Sequence, residues 1–217
     1  MYVYLAITKT PTFVGKVIRQ VLSNKYNHMS ISLKEDLSEL YSFGRVSVKN
    51  FVSGGPLKES YYTLSLGTDE DVELCVFKIP VTKTQYEKLE EFIHNVFYDV
   101  DGYIYNLADA IGTIFHRRIK IDKCYTCIEF CRDAFLYAGI ICSRDLESAS
   151  TLDEARKQLK HYIVYEGKYR KYPNVYLELT ENDKRFMESK GFYTEMVYTA
   201  GSLKKFIGRV YRKKISK

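Results

Sequence analysis

No stretch of this sequence approaches the run of roughly 18 apolar residues needed to cross a bilayer. Lys9, Lys16 and Arg19 interrupt the apolar segments of residues 1–22, so the uncharged core of a secretory signal is not visible there. A glycine-rich phosphate loop, an HExxH pair and the kinase signatures are all missing. Their absence leaves nucleotide-phosphate transfer and that class of zinc protease without a sequence basis. Tryptophan is absent and histidine is scarce, with four residues. The five cysteines are an odd number, and four of them crowd into residues 124–142. A disulfide framework would be spread over a small secreted fold, so the expectation is a reduced, cytoplasmic protein. Acidic residues disappear after residue 196, where seven Lys or Arg carry more charge than the formal net of +6 for the whole chain. Such an end can meet an anionic membrane surface or nucleic acid. The plainer reading is a solvated terminal helix, and no nucleic-acid partner is expected.

What is present fits one domain with a sizeable elaboration: a core over 1–142 and an extension over 143–217. Hydrophobic residues make up 46% of the chain and charged residues 28%. Residues 2–8 read as a buried strand, and 13–22 show helical spacing. In 26–33, Met29, Ile31 and Leu33 alternate with His28, Ser30 and Ser32, the period of a strand. Residues 38–45 return as its hairpin partner. The SGGP of 53–56 reads as a loop, and 61–66 and 72–79 as strands. A helix over 82–97 is capped by Thr82 with Gln85 or by Thr84 with Glu87. Further helices are expected over 105–116, from Cys127 to Tyr137 with Gly139 as the stop, and near 151–160 and 180–190. A strand or turn region lies at 162–179, and a weaker basic helix closes the chain. The order implies an α+β fold with an antiparallel sheet.

Cys127 sits at the expected start of a helix. Free N–H groups and the positive end of the dipole there favour a thiolate and face a developing oxyanion. His28 lies on the polar face of its strand, distant in sequence, as expected for a nucleophile and base joined only by the fold. Taken alone, a strand histidine is more often structural and a helix cysteine more often packing. Zinc could use the spacing Cys124, Cys127, Cys131 with Cys142 or a histidine as fourth ligand, but a second paired motif is missing. No metal or cofactor is therefore expected. Cys124 reads as an incidental thiol, and His94, His116 and His161 as surface residues. Arg45 could bind an acidic group or be a solvated strand end.

The segment YNHMSISLKEDLSELYSFGR resembles the His-bearing hairpin of permuted NlpC-type (YiiX-like) papain-fold hydrolases. Downstream, YTCIEFCRDAF resembles their Cys-bearing helix, and YIYNLAD (103–109) the segment before it. The resemblance spans about residues 1–142 and implies a circularly permuted papain-like fold and a thiol hydrolase acting on an amide or ester. It implies Cys127 as nucleophile and His28 as base, with Tyr105 near the oxyanion and Asn106 beside it. Ile128 stands where the family has serine. For the third residue that orients the histidine, hairpin geometry points to Ser42 and chemistry to Glu39. The implied substrate is an amide, as in cell-wall peptides, or a lipid or peptide ester. Relatives of lecithin:retinol acyltransferase instead pass the acyl group to an acceptor, and there a basic tail could touch a membrane surface. A catalytically inactive binding module is the remaining alternative.

Overall fold

A computed structural model describes residues 1–11, 19–20, 24–48, 54–99, 102–106, 119–140, 146, 149, 151–188 and 192–215. Among these the fold is mixed α+β, with six α-helices and an antiparallel main sheet. The strands are β1 (Tyr2–Lys9), β2 (His28–Ser32), β3 (Leu40–Arg45), β4 (Gly54–Glu59), β5 (Glu73–Pro80) and β8 (Ile163–Lys168), in the order β4-β3-β2-β1-β5-β8. A short parallel pair, β6 (Ile104–Tyr105) with β7 (Cys124–Tyr125), stands apart. The helices are α1 (Tyr61–Leu64), α2 (Lys83–Phe97), α3 (Cys127–Ala138), α4 (Leu152–Gln158), α5 (Glu181–Met187) and α6 (Phe192–Ile215).

Strand alternation sorts the core into two layers. Val3, Leu5 and Ile7 of β1, Met29 and Ile31 of β2, and Cys75, Phe77 and Ile79 of β5 meet α2 and α3 through Leu89, Ile93, Phe130 and Phe135. The intervening residues Tyr4, Ala6, Leu74 and Val76 face a second cluster with Tyr61, Leu64, Tyr169 and Tyr172. The extension beyond residue 142 therefore contributes to the sheet itself: β8 pairs with β5, from Glu73 opposite Lys168 to Phe77 opposite Ile163. It is tied again where Glu166 accepts from Lys25, Tyr26 and Arg156.

The region 53–66 departs from the sequence reading. The expected loop at 53–56 opens strand β4, and the expected strand at 61–66 is helix α1. Ser60 explains the second change: it caps α1 in a box with Thr63, which turns the chain into a helix despite two tyrosines. Pro56 is tolerated because β4 is an edge strand. Gly54 is required by close approach, since a Cβ there would lie 2.7 Å from Tyr105 Cβ and 2.9 Å from the Gly44 carbonyl oxygen. Ser60 also donates to Asp183 at 2.5 Å, which fixes α5 against α1. The cap of α2 is Thr82 with Gln85. The helices expected at 13–22 and 105–116 lie largely outside the described residues.

Candidate active site

His28 is the first residue of β2, opposite Thr8 of β1. Its place is secured by the preceding residue. The Asn27 N–H donates to the Thr8 carbonyl at 3.1 Å, while the Asn27 side chain accepts from the Thr10 N–H at 2.9 Å and from Arg19. The strand end is thereby pinned to β1 before the histidine begins. The imidazole is only 12% exposed, and its Nε2 lies 2.8 and 2.9 Å from the two carboxylate oxygens of Glu59. Glu59 is 5% exposed and also accepts from the Ser30 hydroxyl at 2.6 Å.

Glu59 is thus the residue that holds His28, and neither sequence candidate for that role does so. Continuing the pairing of Ile31 with Tyr41 brings His28 level with Gly44, not Ser42. A Cβ on Gly44 would lie 3.5 Å from Glu59 Oε1 and 3.7 Å from His28 Cε1. These are ordinary van der Waals distances, and Gly44 lines the path by which the carboxylate of β4 reaches the ring across β3. Ser42 is fully buried and donates to the Met29 carbonyl at 2.6 Å, a strand-to-strand bond. Glu39 accepts from Lys58 at 2.9 Å and from Tyr41 at 3.1 Å, and pairs with Lys34.

Cys127 is the first residue of α3. Thr126 is the N-cap: its hydroxyl accepts from the Glu129 N–H, and the Glu129 carboxylate accepts from the Thr126 N–H at 2.9 Å. A residue in the first turn has no intrahelical acceptor for its N–H. The backbone N–H groups of Cys127 and Ile128 are in that turn, beside the thiol. The Cys127 sulfur lies near enough to the His28 ring to act on its charge. With Nε2 facing the carboxylate, Nδ1 is the ring nitrogen not engaged by Glu59. Burial disfavours the charged ring, but the negative charge and hydrogen bonds of Glu59, with a contribution from Cys127, outweigh it. The His28 pKa is held well above its usual 6.5.

Burial pushes Cys75 up to about 12, Cys131 well above the usual thiol range and Cys124 upward, so these remain protonated at neutral pH. Cys131 lies in the main core and Cys124 against Arg209, while Cys142 is outside the described residues. Among the described residues, no group of three or more His, Cys, Asp or Glu could hold a metal ion.

Asn106 is fully buried and donates to the Ile119 carbonyl at 2.9 Å and to Glu129 at 3.2 Å. The structure therefore places it as a brace for the cap rather than as an open binding group. Glu129 collects Thr126 and Asn106 on one oxygen, fixing the first turn on which Cys127 sits. Tyr105 is paired with Tyr125, two residues before Cys127, and packs against Gly54. Tyr103 and Tyr125 stack at 5.4 Å, and Phe43 meets both Tyr125 and Phe130. This aromatic wedge joins β3 to the start of α3. Arg45 ends β3 and donates weakly to the Val48 carbonyl at 3.5 Å; burial lowers its pKa.

Glu59 was missed because glycine and proline at the start of its strand read as a loop. A period-two reading of 54–59 places Glu59 on one face with Gly55 and Leu57, and that was the available signal. The chain matches no protein-family model and no curated protein.

Proposed function

We propose that the chain is a cysteine hydrolase of the permuted papain-like kind, opening an amide or ester bond through a thioester on Cys127. The observation that carries this reading is the buried Glu59–His28 pair, close to a cysteine at a helix start. In a buried core this arrangement would be costly: an ion pair out of water gives little net stability. Its geometry suits a reactive pair. The Glu59 carboxylate accepts from Nε2–H, fixes the ring and favours its charged form, leaving Nδ1 to serve the sulfur.

The Cys127 thiolate attacks the carbonyl carbon, and the negative charge that develops on oxygen is met by first-turn N–H groups of α3. His28 gives its proton to the departing amine or alkoxide, the C–N or C–O bond breaks, and the thioester forms. Neutral His28 then takes a proton from water as it attacks the thioester, which releases the acid and restores the starting pair.

The test is direct trapping. The protein is mixed with a p-nitrophenyl acyl ester, quenched in acid and measured by intact mass and peptide mapping. The reading expects a burst of p-nitrophenol and an acyl adduct on Cys127, absent in Cys127→Ser and strongly slowed in His28→Ala. Acylation spread evenly over several cysteines, or none at Cys127, would refute it.

A further inference from the structure

Helix α6 divides into lengthwise rows of residues four apart. One row is anchored. Phe206 and Val210 pack on Ile104, Ile121 and Cys124. From the neighbouring row Arg209, 7% exposed, donates to the carbonyls of Lys123 at 2.7 Å and Gly102 at 2.8 Å. The row on the other side of Phe206 is apolar and faces solvent: Leu203 is 43% exposed, Ile207 58% and Tyr211 65%. Beside it runs a row with Lys204, Gly208 and Arg212, its two cations exposed. The outward surface of a firmly anchored helix is thus an aliphatic and aromatic ridge next to a basic one.

We propose that this surface docks on an anionic lipid bilayer, with Leu203, Ile207 and Tyr211 in the headgroup–acyl boundary and Lys204 and Arg212 among the phosphates. A helix lying in the interface needs an apolar ridge, flanking cations and modest overall hydrophobicity. The sequence from 197 on supplies seven Lys or Arg and no acid. The same charge opposes docking to a second copy of this helix, since like-charged ends would face each other. Nucleic acid would use the cations and could stack on Tyr211, but would leave the aliphatic Leu203 and Ile207 without a role. A bilayer uses both rows. The anchored row meets β7 and the residue before it, so the docked helix sits beside the segment leading into Cys127.

The test uses the full chain and flotation with vesicles of phosphatidylcholine, with or without 30% phosphatidylglycerol. Binding is expected only to the anionic vesicles and is expected to weaken steeply in 0.5 M salt. Lys204→Ser with Arg212→Ser should weaken it about 25-fold, about fivefold per charge. Ile207→Ser with Tyr211→Ser should weaken it tenfold or more. All four positions are exposed, and melting curves verify that the variants remain folded. Absence of binding to anionic vesicles at low salt overturns the proposal, as does binding that neither pair affects. Preferential capture of single-stranded RNA, or a dimer that the Ile207/Tyr211 pair abolishes, overturns it in favour of those partners. The readout needs no turnover, so this inference and the hydrolase reading can fail separately.

Discussion

Replacing Glu59 with Gln removes the charge beside His28 while keeping the side chain's shape. Glu59 holds Nε2 through both oxygens and takes the Ser30 hydroxyl as well, with 5% of its side chain exposed. Breaking one half of a buried ion pair costs about 3–5 kcal/mol. His28 can shed its proton, so we place the loss at the lower end, about 3 kcal/mol at pH 5.5. In a chain of this size that lowers Tm by roughly 6–12 °C. The sign of the pH dependence follows from the raised histidine pKa. Its contribution is fully present below the ordinary histidine value and is lost as pH rises through the raised folded value. The gap in Tm between wild type and Glu59→Gln should therefore be widest at pH 5.5 and shrink at alkaline pH. Catalysis should fall by about 10²–10⁴, as when an orienting carboxylate becomes an amide in a triad. Thermal melts from pH 5.5 to 10, paired with p-nitrophenyl ester turnover, test both effects. A Tm gap independent of pH, with unchanged turnover, would refute the assignment of Glu59.

Other consequences are as specific. Glu129→Ala should destabilise by about 3 kcal/mol in urea melts, because the cap is lost and the buried Asn106 and Thr126 donors lose an acceptor. Gly54→Ala should cost about 1–3 kcal/mol through its clash with Tyr105 and the Gly44 carbonyl, while Gly55→Ala, with only a 3.3 Å contact, should cost less. Cys127→Ala should abolish acylation yet change stability by under about 1 kcal/mol, since the change removes one small group. Arg209→Ala leaves the Lys123 and Gly102 carbonyls without their donor. It should speed proteolytic cleavage within α6 without changing the melt of the main sheet.

Much of the fold was legible because local signals agreed with the tertiary pattern. Alternation in 28–32, the Thr82–Gln85 box and the Gly139 stop, whose φ is +66°, each mark a boundary that the structure keeps. The site was only half legible. Cys127 and His28 stand on regular elements with their own periodicity, and the fold sets them near each other. Glu59 acts from a strand two places away, reached past Gly44, and pairing order is not written in local sequence. Ser42 and Glu39 were reasonable neighbours in a hairpin, but register and the competition from Met29 and Lys58 decided against them. The bracing role of Asn106 is not legible locally, because the cap it braces is formed by Thr126 and Glu129, which lie in a separate segment of the chain.

A catalytic Cys127 must be a distinct thiol governed by His28. Limiting iodoacetamide applied to the native chain from pH 5 to 9, with the modified residues mapped by mass spectrometry, measures this. Cys75, Cys124 and Cys131 are held protonated by burial. Cys127 should be alkylated first, react appreciably near pH 6, and lose that advantage in His28→Ala. Alkylation of Cys127 no faster than of Cys124, or at a rate indifferent to His28, would contradict it.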